Sequence, residues 1–412
     1  MKYSNSLKYM NGFPAAKSLS DISQKRALEL CESLGRVNIG MRCICLPACG
    51  AGHASAVMLE SVMICAGHKV GRITSAYGFD SRASVFVGGE MPSIEDYNGA
   101  VEELKSAVKR SPDTPYTREE TTFVLGLLLC KMNGCEYVIL EGLSDSDFTL
   151  DAICAPYELI VMPTVYDCAN AAGKVRCLCD AIRRGTREVV SGNQKSEIYN
   201  TISNACAISG ARLYIPVKAQ FEVTEISSRS LSFTYVGREG FTLKNPSYML
   251  RDCAITVIEA ALALRRGGVR MPWSCISSGL STVTSTGCFD MLSLSPKLIL
   301  DTATVAEEAA LVKRTAQELW GEDALDSLTV CVSPSALSAA EIFDREMSEM
   351  LMYSPDGENT ISDTHPVRLC DTVKAMAKEI FALMRSGRGV ICFGDVGFIS
   401  SLKCELLKIM NG

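Results

Sequence analysis

Short continuous apolar runs alternate with longer stretches of helical period over the first ~170 residues, and this alternation is the dominant pattern in the chain. Cys43 to Leu46, Lys69 to Ser75, Tyr137 to Leu140 (ending on Glu141) and Leu159 to Met162 read as strands, with VFVGGE as a further short extended piece. Leu19 to Leu34, a stretch opening near Ser55, Ile94 to Val108 and Thr117 to Met132 read as helices. The first of these is expected to take Ser20 or Asp21 as its cap and Gly35 as its stop. Strands that alternate with helices in this way predict a mostly parallel sheet covered on both faces.

Between Ala211 and Leu243 the period changes to two, in RLYIPVKAQFEVTEI and SLSFTYVG, which predicts antiparallel hairpins extending the edge of the same sheet. A long apolar helix follows over Tyr248 to Arg265, and the Ser/Thr-rich stretch Ser277 to Gly287 reads as a linker. Strands at Lys297 to Leu300, Leu328 to Val332 and Gly389 to Phe393 then alternate with helices at Ala306 to Leu319, Ala336 to Met352 and Thr372 to Met384. The expected fold class is therefore α/β. A P-loop-type, mostly parallel sheet domain with antiparallel edge hairpins would span residues 1–283, and a smaller C-terminal Rossmann-like α/β domain residues 284–412.

Composition fits an ordinary globular protein, with 47% hydrophobic and 21% charged residues. A net charge of -6 and a pI near 5.4 argue against a nucleic-acid or anionic-membrane partner. No apolar run approaches the ~18 residues of a membrane span. The opening MKYSNSLKYMNGF lacks the apolar core of a signal peptide, so a cytoplasmic location is expected. The 19 cysteines are then expected to be reduced thiols, mostly acting as small hydrophobes. Cys43, Cys45 and Cys49, and Cys177 with Cys179, lack paired C-x-x-C spacing, and no zinc or iron–sulfur cluster is expected. A metal site on Cys43, Cys45, Cys49 and Cys168 is the weakest reading, because alternate strand positions converge poorly on one ion.

The chemistry concentrates between Arg42 and Ser61, where a strand runs through the loop Ala48-Cys49-Gly50-Ala51-Gly52 into a helix. Free N–H groups at a helix start favour phosphate. A working P-loop also needs a lysine after its last glycine, and this chain has His53 there. Ser55 reads equally as a helix N-cap and as a magnesium ligand. Glu141 and Asp301 each read equally as a solvated strand-end carboxylate and as a ligand group at the crevice edge of a parallel sheet.

In order along the chain stand a helix ending ESLG, then MLESVMICAGHKVGRITSA, VGGEMPS, YVILEGL, VVSG, a helix ending EAALAL, KLILDTATVAE and GVICFGDVGFISSL. With these motifs the chain resembles the folylpolyglutamate synthase/dihydrofolate synthase family of Mur-type ligases, nearly end to end. The resemblance implies ATP-dependent activation of a folate carboxylate and its capture by the amine of glutamate, with magnesium neutralising the charge. It implies nucleotide-binding positions at Gly50, Gly52, His53, Ser55 and Asp301, and a magnesium site at Ser55 and Glu141. Glu120 matches the glutamate of the preceding helix.

Other family positions are replaced. His53 stands for the lysine, Ala76-Tyr77 for the folate-loop Pro-His, Asp167-Cys168 for a metal-binding Asp-His, and a position near Leu178 for the lysine expected to be carbamylated, the only lysine close by being Lys174. Tyr248-Met249 stands for His-Gln with Asp252 for Asn, Cys288 for an arginine, and Thr302 to Ala306 for GAHNP. The combined reading is a ligase-like pseudoenzyme with weak binding of ATP and magnesium. It would hold a small acid or nucleotide between its domains, or pair with a protein partner such as an active paralogue. The runner-up is an active ligase adding glutamate to folate or a related acid.

Overall fold

The computed structural model describes residues 2–46, 52–74, 81–142, 148–166, 175–176, 179–182, 185–217, 220–284, 287–325, 327–355 and 365–411. The chain divides into two compact units, Met1–Ala219 with Asp252–Val283, and Gln220–Arg251 with Thr284–Gly412.

The first unit opens with helices α1 (Tyr3–Asn11) and α2 (Gln24–Ser33), followed by strand β1 (Arg42–Leu46), α3 (Gly52–Cys65) and β2 (Val70–Ile73). Then come β3 (Val85–Val87), α4 (Ile94–Val108), α5 (Arg118–Met132), β4 (Tyr137–Glu141), β5 (Leu159–Met162), β6 (Glu188–Ser191) and β7 (Arg212–Tyr214). The seven strands form one sheet in the order β3-β2-β4-β1-β5-β6-β7. Every pair is parallel except β3 with β2. The apolar runs are continuous because both faces are covered: every residue of β2, β4, β5 and β6 is buried.

Local signals set the helix ends. Thr117 and Glu120 form a capping box on α5, satisfying two otherwise unpaired N–H groups. Glu120 is fully buried and also accepts from Ser23 N at 2.6 Å and from Arg26 Nε at 3.1 Å, tying α2 to α5. The cap of α2 is therefore Ser23, whose hydroxyl accepts from Arg26 N, and not Ser20 or Asp21, which fall in or beside a separate short 3-10 turn, Leu19–Asp21.

The second unit holds a three-stranded antiparallel sheet of β8 (Phe221–Ser227), β9 (Ser230–Tyr235) and β10 (Arg238–Leu243). It also holds a six-stranded sheet of β11 (Asp290–Leu294), β12 (Lys297–Asp301), β13 (Leu328–Val332), β14 (Met347–Tyr353), β15 (Val367–Cys370) and β16 (Val390–Phe393). Their order is β11-β12-β16-β13-β14-β15, parallel except for the edge strand β11. Separate apolar cores cover its two faces. The molecule is thus mixed α/β, with one mostly parallel sheet in each unit.

Four expectations need correction. The period-two strands do not extend the first sheet; apart from β7 they form their own sheet, which clusters with the later unit, so residues 220–251 fall on the far side of a division that sequence put near 283. Alternation specifies strands but not the sheet that receives them. The Ser/Thr-rich stretch is not a linker over Ser277–Thr282, because those residues complete a helix, Trp273–Thr282, that lies directly on α3. Its small residues permit that approach: a Cβ on Gly279 would sit 2.5 Å from Val62 Cα. Ala336 to Met352 is not one helix, since only the single turn Leu337–Ala340 is α-helical and Met347–Tyr353 is a strand between two parallel neighbours. Its short apolar run carries no period that separates a buried strand from a buried helix. The helix expected near Ser55 begins earlier, at Gly52. Cys49, Gly50, Ala76, Tyr77, Asp167, Cys168, Lys174, Cys177 and Leu178 lie outside the described residues.

Candidate functional site

Parallel pairing brings the C-terminal ends of the central strands together. Leu46 at the end of β1 pairs with Glu141 at the end of β4, and Ile73 at the end of β2 pairs with Leu140. Ligands of open α/β sheets collect at such ends. The start of α3 contributes Gly52, His53 and Ser55.

His53 reaches Glu141 directly, with Nδ1 2.8 Å from Oε1. An ionised carboxylate only accepts, so Nδ1 carries the proton and donates. The other oxygen of Glu141, Oε2, accepts from Arg72 Nη1 at 3.0 Å. Arg72 Nε donates to Glu60 Oε2 at 2.7 Å. The guanidinium lies over the Phe86 ring, 4.2 Å from its centroid. Glu60, Arg72 and Glu141 are 3%, 3% and 7% exposed, so this is a buried chain of charges with the half-exposed imidazole of His53 at its end. Burial pushes the Glu141 carboxyl up, but the His53 hydrogen bond and charge, with the Arg72 guanidinium, outweigh it and hold Glu141 below its ordinary range.

Ser55 is fully buried, and its Oγ has no hydrogen-bond partner among the described residues. Because α3 begins at Gly52, Ser55 lies within the first turn and does not act as the N-cap. A buried hydroxyl left without a partner costs about 1–3 kcal/mol, which a polar group of a ligand at the start of this helix would recover. Glu60 Oε1 is likewise without a partner among the described residues.

Asp301 occupies the end of β12 in the later unit, fully buried. Its carboxylate accepts from Phe289 N at 2.7 Å and Ala303 N at 2.8 Å. Burial pushes this carboxyl up to about 7, against the pull of those two N–H groups, and Glu308 and Asp290 add to the rise. Asp301 thus fastens backbone that includes Phe289 at a φ of 49°, in the left-handed region.

The structure brings together His53, Ser55 and Glu141 within one unit and puts Asp301 in the other. Sequence reasoning missed Arg72 and Glu60. The signal was present: each is a charged residue inside an otherwise apolar element, VGRI and GHASAVMLESVMIC. The strand cysteines Cys43 and Cys45 belong to one apolar core. Among the described residues no group of three or more His, Cys, Asp or Glu is placed to hold a metal ion, and no helix is long and apolar enough to cross a membrane.

No protein-family model matches the sequence, and no curated protein matches it. Solved structures do. A folylpolyglutamate synthase complex with AMPPCP and folate superposes with a TM-score of 0.80 at 15% identity, covering 99% of this chain and 100% of that one. The folylpolyglutamate synthase of Thermotoga maritima gives 0.76 at 15% identity, over 98% and 96% of the two chains. That of Mycobacterium tuberculosis, complexed with ADP and AMPPCP, gives 0.76 at 14% identity, over 93% and 95%. The chain therefore has the fold of the folylpolyglutamate synthases along its full length.

Proposed function

We propose that this chain is a folylpolyglutamate synthase-like protein of the ATP-dependent Mur ligase family, and that it binds a small acid or nucleotide without carrying out the ligation. In this reading the ligase-type central domain lies within residues 1–283 and the C-terminal domain is residues 284–412, with the hairpin sheet of residues 220–251 clustering with the latter. The observation that carries it is the pairing of His53 with Glu141 at 2.8 Å. The residue standing where a lysine would meet the β/γ-phosphates is held by the carboxylate expected to hold magnesium. A lysine ammonium is a point charge with three donors on a flexible stem, whereas the His53 ring spends its Nδ1 proton on Glu141. ATP binding is accordingly weak. The buried Ser55 hydroxyl, without a partner among the described residues, supports a ligand at the start of α3.

The chemistry of the reaction explains why turnover is lost. A carboxylate must approach a triphosphate, and each charged group that stabilises such a transition state commonly supplies ~10²-fold or more in rate. The test is ATP-dependent addition of labelled glutamate to reduced folate, run beside an active folylpolyglutamate synthase. Turnover more than about a hundredfold below that control is expected; turnover within that range overturns the reading. The second reading, an active ligase using glutamate and folate or a related acid, is favoured by one observation, the same Ser55 hydroxyl without a partner among the described residues.

A further inference from the structure

We propose that Arg72 is the resident counter-charge of this site, and that whatever anionic ligand binds at the start of α3 does so without a divalent cation. The proposal rests on the ligand-site reading above and concerns how that site handles charge. Magnesium is the ion implied there, with Ser55 and Glu141 as its protein ligands. Ser55 Oγ has no hydrogen-bond partner among the described residues. Glu141 is already engaged, its Oε1 2.8 Å from His53 Nδ1 and its Oε2 3.0 Å from Arg72 Nη1, so a divalent cation on it would have to displace a donor or stand beside a fixed guanidinium charge. The donor set does not fit the ion.

Arg72 cannot yield its place by losing a proton, since guanidinium stays charged throughout the accessible pH range. Nor can it swing away freely. It is 3% exposed, donates to Glu60 Oε2 at 2.7 Å and lies 4.2 Å from the centroid of the Phe86 ring. Expelling it would leave the Glu60 and Glu141 carboxylates buried without their cation. Among the described residues the fixed guanidinium already supplies the positive charge that Glu141 faces.

The test is titration of the full chain with Mn²⁺, read by the enhancement of water-proton relaxation. The wild-type chain is expected to show no site tighter than about 1 mM that Glu141→Gln removes; such a site would overturn the proposal. The paired change Arg72→Met with Glu60→Gln removes one positive and one negative charge together, avoiding a bare buried carboxylate at Glu60. It is expected to tighten Mn²⁺ binding at least tenfold, with the gain abolished by adding Glu141→Gln. A folded double variant, checked by circular dichroism, with no gain would overturn the proposal. If that variant does not fold, the wild-type comparison with Glu141→Gln decides alone.

Calorimetry with ATP supplies the other arm. Affinity within about threefold in excess magnesium and in excess chelator supports the proposal, and affinity at least tenfold tighter with magnesium overturns it. Absence of ATP binding in both conditions sinks the nucleotide reading only, because the manganese measurements decide the role of Arg72 independently.

Discussion

Replacing Gly279 by alanine sets two effects of opposite sign against each other. Gly279 lies within the helix Trp273–Thr282, where alanine is intrinsically favoured over glycine by about 1 kcal/mol. The new Cβ, however, would stand 2.5 Å from Val62 Cα, 2.7 Å from Val62 N and 2.9 Å from Val62 Cγ2. Comfortable carbon contacts begin near ~3.5 Å, so the two helices must part by about 1 Å, and the obstacle is backbone that cannot rotate aside. Overpacking of this kind costs about 1–3 kcal/mol. Parting also strains the bonds from Ser61 Oγ to Gly279 O and Thr282 Oγ1, both 2.8 Å, each with a net worth of about 1 kcal/mol. The balance is a destabilisation of about 2 kcal/mol.

The chain has a convenient reporter for this change. It contains two tryptophans, and Trp273 opens the same helix. With Trp320→Phe as background, urea unfolding followed by tryptophan fluorescence reads the first unit alone. The midpoint is expected to fall with an unchanged slope. An unchanged or raised midpoint would show that propensity outweighs the steric cost and that the close approach of this helix to α3 has been misjudged. Because α3 also carries His53 and Ser55, loss of ligand binding should accompany the fall.

Two further outcomes follow from buried carboxylates. Asp301 has a folded value of about 7 against an ordinary 3.8, so the stability contributed by its protonated form is whole below pH ~4 and lost as pH rises through about 7. Stability of the later unit, read from Trp320 fluorescence, should therefore decline across that window, and Asp301→Asn should flatten the decline; an unaltered slope would mean that Asp301 is ionised in both states. Glu120→Ala removes a buried acceptor serving Thr117 N, Ser23 N and Arg26, and should cost about 3–5 kcal/mol in urea unfolding. A loss under about 1 kcal/mol would mean that water replaces the carboxylate at little cost.

The parallel sheets were legible in the sequence because a strand buried on both faces has little choice but to be uniformly apolar, as CICL and LIVM are. Ile94–Val108 and Leu328–Val332 are found where their periodicity puts them. Less legible were elements defined by what they touch. Ser277–Thr282 looks like a linker until Val62 is placed against Gly279, and small residues report closeness to a neighbour that sequence does not name. Met347–Tyr353 is an interior strand by virtue of β13 and β15 on either side of it. At the site, the end of β4 could be read from pattern, and the start of α3 only to within a turn, because small residues precede its first apolar positions. The bond between His53 and Glu141 could not, because it spans elements that only folding brings together. Arg72 was passed over for the opposite reason: one charge inside VGRI reads as an edge or a flaw until two glutamates are seen to hold it.

The passage of the chain between its units bears on how such a protein can be inherited. It leaves the first unit after Ala219, returns at Asp252 and leaves again after Val283. The second passage falls inside a single helix, Tyr248–Arg266, whose first residue donates its N–H to Thr315 Oγ1 in the later unit. A gene fragment ending at codon 283 would carry β8, β9 and β10 away from the unit in which they pack, and one starting at codon 284 would lack them. Neither half is a transferable cassette. Recombination at the most obvious seam would disable both products, so substitutions accumulate within a frame that must be passed on whole. Single residues at the start of α3 or the end of β4 could then change one at a time while the architecture around them stayed in place.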